Sequence, residues 1–262
     1  MIRLPTLARV LRDHRRGLAI WALAVSAICA FYLSFYPAMG QEMMDAIQGL
    51  PDGLMRGLGY DRIGSAGGFA NSVIYGLLAP LLLLVHAIGA GGRLIAGQEE
   101  DGSLELDFAA PISRRRLFLE RLAALWTMIT LLILAMTGTI LVMNGSIGLD
   151  LAVWHVVAGS AALWLLVGGI GTIAYAIGAA TGRRGSAVAI ASAVAVGAYV
   201  LRGVSDATGN DLLGAASPFV WLLGPEPLIH GPDLASLAKL AAIPLLAAPL
   251  GLLRFVRRDL LT

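Results

Sequence analysis

Six apolar stretches punctuate this chain: Leu18–Tyr36, Phe69–Ile95, Leu122–Met143, Val156–Ala180, Ala187–Leu201 and Leu237–Leu253. A bilayer's hydrocarbon core asks for about 20 helical residues, so the second and fourth stretches suffice while the fifth and sixth must borrow flanking residues. Backbone amides in lipid have no water to bond, which leaves only helices or closed barrels as spanning structures. None of the stretches alternates in the manner of barrel strands. The chain is therefore predicted to be an all-α integral membrane protein with six transmembrane helices.

Composition agrees. Apolar residues make up 58% and charged residues 14%, with mean hydropathy +0.79, against about 25% charged in soluble domains. The apolar mass lies in spans, so residues 1–262 read as a single membrane domain. A net charge of +2 with arginines dispersed among the loops gives no basis for nucleic-acid binding. Cys29, the only cysteine, falls inside the first span and reads as a small buried hydrophobe.

Orientation follows from the arginines. Arg3, Arg9, Arg12, Arg15 and Arg16 precede the first span; Arg93, Arg114, Arg115, Arg116 and Arg121 surround the loop after the second; Arg183 and Arg184 fill the turn after the fourth; Arg254, Arg257 and Arg258 end the chain. The opposite loops hold Arg56, Arg62, Arg202 and Lys239. The positive-inside rule places both termini and the charged loop in the cytoplasm. The first span is longer than a secretory h-region and is followed by further spans, so it reads as a retained signal anchor.

Two outer segments are too long for turns. Met39–Gly68 carries Met43, Met44, Ile47 and Leu50 at helical spacing, and Pro51 opens a second turn with Leu54, Met55 and Leu58. This predicts a short amphipathic helical pair, either on the membrane surface or on the tops of other helices. In the later segment, Pro218, Phe219, Trp221 and Pro225 mark an apolar piece too short to span. It is predicted to be a re-entrant element whose backbone is covered by protein.

Several chemistries lack their residues. Lys239 is the only lysine and no glycine-rich loop precedes it, so no Walker-type phosphate loop exists. Gly169-Ile170-Gly171-Thr172-Ile173-Ala174 matches a dinucleotide fingerprint as a string, but it lies mid-span without a preceding strand. Its glycines, with Gly178 and Gly182, read as a small-residue face for close helix packing. His14, His86, His155 and His230 have no metal spacing, and His86, the one within a span, reads as a polar group at a helix interface. No catalytic site, cofactor site or metal site is expected in this chain.

The most distinctive chemistry is the loop between the second and third spans. Gln98, Glu99, Glu100, Asp101, Gly102, Ser103, Leu104 and Glu105 lead through Pro111 to Ser113 and Arg114. Lipid cannot solvate such a run, so it faces water or a partner. Gly97 and Gly102 are able to end or redirect helices, and Ser113 is placed to cap the helix of the third span. Between them, Gln98–Ala109 is predicted to form an amphipathic helix with Leu104 and Phe108 on one face.

That loop resembles the cytoplasmic loop of ABC-2 type permeases, the membrane subunits of ATP-binding cassette exporters. There an acidic pair, a Gly-Ser/Thr-Leu-Glu segment and a Pro-x-Ser-Arg segment recur, as Glu99-Glu100, Gly102-Ser103-Leu104-Glu105 and Pro111-Ile112-Ser113-Arg114 do here. Leu50-Pro51 with Gly57-Leu58-Gly59, and Ser217-Pro218-Phe219 with Pro227-Leu228, are similar to outer features of that family. Asp107-Phe108 departs from the leucines more usual there.

The resemblance implies that Gln98–Pro111 is a coupling helix seated on an ATPase. It implies two ATPase subunits that bind ATP and Mg, and a second permease subunit as homodimer or heterodimer. The setting would be the lipid of a bacterial cytoplasmic membrane. The chain itself would not be an ATPase. The scarcity of charge inside the spans favours an apolar or amphipathic cargo for export, a drug, lipid or peptide, as in multidrug efflux. Two other readings fit the spans: a secondary transporter, for which only Pro80, Pro244 and Pro249 hint at broken helices, and a non-transporting scaffold or immunity protein.

Overall fold

The computed structural model describes residues 5–38, 66–103 and 112–258. Among these residues there is no strand, and six helices are long and apolar enough to cross a membrane. We label them α1 (Pro5–Phe35), α2 (Ala66–Glu100), α3 (Arg114–Ile147), α4 (Val153–Thr181) and α5 (Arg184–Thr208), then the short α6 (Asp211–Ala215), α7 (Pro218–Leu223) and α8 (Pro227–His230), and finally α9 (Leu234–Arg257). The predicted outer helical pair falls on residues 39–65, outside the described residues.

Every span begins or ends beyond its apolar core, because a helix need not stop where the bilayer does. In α1, Val10 and Leu18 are buried while Arg12, Arg15 and Arg16 stay exposed, so the first turns continue the helix amphipathically. The predicted start at Leu18 is thus corrected to Pro5. Likewise α3 starts at Arg114 and α9 runs to Arg257.

The helix α2 is irregular at two places, with π-helical turns over Ala70–Leu78 and Arg93–Gly97. Pro80 accounts for the first: it offers no amide to the preceding turn, and its ring crowds the carbonyl four residues back, a conflict that a wider turn relieves. By contrast, α9 continues through Pro244 and Pro249 without a break.

The core sits on α4, which packs against α2, α3, α5 and α9. Its glycines are the reason for that contact. A Cβ on Gly168 would lie 2.2 Å from the ring of Trp126, and one on Gly91 of α2 would lie 2.6 Å from the Gly171 carbonyl. Gly171 itself faces Ala87, Gly169 faces Ile243, and Gly178 faces Ala96. The predicted small-residue face is therefore the packing surface of the fold. His86 lies edge-on to Trp21 of α1, with ring centroids 5.4 Å apart, at the α1–α2 interface.

At the end of the bundle opposite the arginines, α6, α7 and α8 close over the helices. Ser217 is buried and donates from Oγ to the Ala198 carbonyl at 2.6 Å. Phe219, Leu222 and Leu223 are buried, and Phe219 meets Tyr199 edge-on. The piece marked by Pro218 and Pro225 is thus a protein-covered short helix followed by a turn, with Glu226 in a left-handed conformation. Trp221 is only half-buried and donates from Nε1 to the Ala215 carbonyl at 3.1 Å. The anchor of this element is Phe219.

Candidate functional site

The acidic pair of the charged loop is built into the last turn of α2. Gly97, expected to end or redirect a helix, lies inside it, and Gln98, Glu99 and Glu100 complete it. The helix stops at the next glycine: Gly102 has φ +71°, and its amide donates to the Glu99 carbonyl at 3.1 Å. This left-handed position is a common helix terminator. The predicted single helix over Gln98–Ala109 is corrected accordingly, because Asp101–Ser103 form a turn. Asp101 and Gly102 are exposed, and Ser103 Oγ donates to the Gln98 carbonyl at 3.3 Å. Leu104, Glu105 and Pro111 lie outside the described residues.

On the far side of the loop, Ser113 is the N-cap of α3, with Oγ accepting from the Arg116 amide at 3.3 Å, as its position predicted. Arg114 turns back across the bundle and donates to the Arg258 carbonyl at 2.6 Å. Arg116 pairs with Glu120 at 2.7 Å.

The acidic pair reaches two other helix ends. α4 terminates at Gly182, φ +69°, and α5 starts two residues later at Arg184. The carbonyls ending α4 carry partial negative charge, and the amides opening α5 carry partial positive charge. Each end is met by a charge of the opposite sign from elsewhere in the chain. Arg258 donates from Nε to the Ala179 carbonyl at 3.0 Å, which caps α4. Glu100 accepts from the Arg184 amide at 2.8 Å, which caps α5 where Arg183 makes no side-chain cap. Glu99 then pairs with Arg258, and its side chain is only 3% exposed against 16% for the arginine.

Gly182 permits this convergence. A Cβ there would lie 2.5 Å from Arg258 Nη1 and 2.9 Å from Glu99 Oε1, and the left-handed φ would strain any L side chain besides. Nearby, Arg121 of α3 is fully buried and donates from Nη1 to the Leu94 carbonyl at 2.6 Å, within the second π turn of α2. Tyr175 of α4 donates to the Phe118 carbonyl of α3 at 2.7 Å. The ends of α2, α3, α4, α5 and α9 are therefore joined by polar contacts at one end of the bundle.

The sequence marks Glu99, Glu100, Ser113 and Arg114 as parts of the charged loop, but not Arg184 and Arg258, the residues that Glu99, Glu100 and Arg114 meet within the chain. Those arginines registered only as topology signals. Nothing local in the sequence links Glu99 to Arg258.

Beside this cluster, an apolar groove of about 450 Å³ runs between α2 and α5. Leu84 and Ile88 line it from one side, Val188 and Val196 from the other, with Arg184 near one end and Phe219 near the other. Among the described residues, no group of three or more His, Cys, Asp or Glu side chains is placed to hold a metal ion.

No curated protein matches the chain. Residues 8–260 match the family described as ABC-2 family transporter protein, a region that holds the charged turn, the cluster of helix ends and, apart from the first residues of α1, the six spans. The match covers nearly the whole chain, and the chain is a multi-pass membrane protein that belongs to the ABC-2 transporter family.

Proposed function

We propose that this chain is the permease subunit of an ATP-driven exporter that moves an apolar or amphipathic substrate, a drug, lipid or peptide, out of the cytoplasm. Membrane subunits of the ABC-2 family are generally not ATPases, and the family implies an ABC ATPase as partner. In this reading two ATPase copies and a second permease subunit, identical or related, complete the machine. ATP and Mg belong to the partner. This chain's own residues do not fit them, since Lys239 is an exposed side chain within α9 and has no phosphate-binding loop before it.

The observation that carries the reading is the Asp101–Ser103 turn, with Asp101 and Gly102 exposed, set directly on the cluster that joins the helix ends. A force applied to that turn has a short path into the membrane helices. The apolar lining of the groove between α2 and α5 supports an apolar cargo over a small ion. Both termini and the turn would face the cytoplasm of a bacterial cell.

The test is co-purification of the chain with a candidate ABC ATPase, followed by ATP hydrolysis and efflux measured in proteoliposomes. Retention of the ATPase with substrate-stimulated hydrolysis is the expected result. Transport driven by an ion gradient with no nucleotide would replace this reading by a secondary transporter. Absence of both would leave a scaffold.

A further inference from the structure

We propose that Glu99 and Glu100 are positioning residues that clamp the end of α2 onto the α4–α5 turn and the end of α9, so that these helix ends move as one body. The inference rests on the exporter reading for its driving force, but the clamp itself is a matter of contacts within the chain. An acidic pair in a charged loop is ordinarily expected to face a partner protein. Here Glu99 turns inward to Arg258, and Glu100 accepts from the first amide of α5.

Three features make the arrangement a clamp. First, the charges are matched to helix ends: a guanidinium on the Ala179 carbonyl in the last turn of α4 and a carboxylate on the Arg184 amide that opens α5, each favourable with the helix dipole. Second, Arg258 is held from both of its polar ends, its guanidinium by Glu99 and Ala179 and its carbonyl by Arg114, so α9 and α3 are drawn into the same contact set. Third, the Glu99 side chain is almost fully withdrawn from solvent, and a buried ion pair keeps its geometry better than an exposed one.

The consequence is mechanical. The turn a partner would push, Asp101–Ser103, follows the acidic pair directly. A displacement there passes through Glu99 and Glu100 to the ends of α4, α5 and α9 together, rather than bending α2 alone. Arg121, bonded to the Leu94 carbonyl, holds the adjoining π turn of α2 against α3. Coupling of this kind needs a connected element whose arrangement both sites bias.

The experiment uses the full chain with its ATPase in lipid nanodiscs, with Cys29 replaced by alanine and nitroxides at positions 101 and 257. Pulsed electron resonance then gives the distance between the ends of α2 and α9, with and without ADP and vanadate on the ATPase. The expected result is a single narrow distribution that nucleotide trapping does not move. In Glu99→Gln/Glu100→Gln it broadens and shifts on trapping, the ATPase stays bound, and efflux per ATP hydrolysed falls roughly tenfold. Gly182→Ala tests the same contact without removing a charge, because its methyl group would occupy the space of Arg258 and Glu99. A distance that shifts on trapping in the unaltered chain would overturn the clamp, as would both variants keeping a narrow distribution and full coupling. Loss of ATPase binding in the glutamine variant would assign the pair to direct docking instead. If the unaltered chain binds no ATPase, the exporter reading fails, and the broadening without nucleotide still decides the clamp.

Discussion

A guanidinium with no exposed surface is expensive to place in a membrane protein, so Arg121 must be compensated by its surroundings. Its bond to the Leu94 carbonyl is part of that compensation, because π-helical turns over Arg93–Gly97 leave carbonyls that the regular ladder no longer serves. Arg121→Ala would leave that carbonyl buried with one partner fewer and open a cavity beside Tyr175 and Phe118, the lost hydrogen bond alone costing about 1–3 kcal/mol. Cys29 offers a direct readout, being buried and the only thiol in the chain. A thiol-reactive dye should therefore label Arg121→Ala at a distinctly lower temperature than the unaltered protein, with Arg121→Lys between them. Equal labelling temperatures would show that Arg121 contributes little.

At the scale of elements, the spans were legible in the sequence and their ends were not. Twenty apolar residues in lipid have few options, so Val156–Ala180 predicted α4 to within three residues at its start. Leu18 misplaced the start of α1 because the preceding arginines lie on the open face of a helix that continues. Gly97 and Gly102 are alike by residue type as places where a helix can end or redirect, yet Gly97 is accommodated inside a π turn, and it is at Gly102, with its positive φ, that the helix ends. The acidic pair stands out in the sequence as a cluster of charge, whereas its partners lie far along the chain, Arg258 being 159 residues away from Glu99. The outer element teaches a similar lesson, since a tryptophan draws the eye but the phenylalanine beside it is the buried anchor. Phe219→Asp should abolish stable membrane accumulation, because its carboxylate would sit without a partner against Tyr199. Trp221→Asp, at a half-buried position, should lower accumulation only in part. Immunoblots of membrane fractions decide this, and equal accumulation of the two variants would contradict the assignment of Phe219 as anchor.

For the molecule as a whole, the small residues of α4 set how closely the helices approach, and the polar cluster at one end sets which of them are bound together there. These two features also sharpen the question of orientation. The bond between Glu100 and the Arg184 amide requires the charged turn and the α4–α5 turn to share one side of the membrane. Residue 211, which opens α6 beyond the other end of α5, must then lie on the opposite side. From the arginine distribution we propose that the first side is the cytoplasm. Single cysteines at 103, 184 and 211, introduced with Cys29 replaced, should be labelled by an impermeant maleimide in intact cells only at 211, and at all three after permeabilisation. Labelling of 103 and 184 but not 211 in intact cells would invert the protein and place the acidic cluster out of reach of any cytoplasmic ATPase. Labelling that separates 103 from 184 would break the contact between α2 and α5 itself, and with it the path by which a push on the charged turn reaches the membrane.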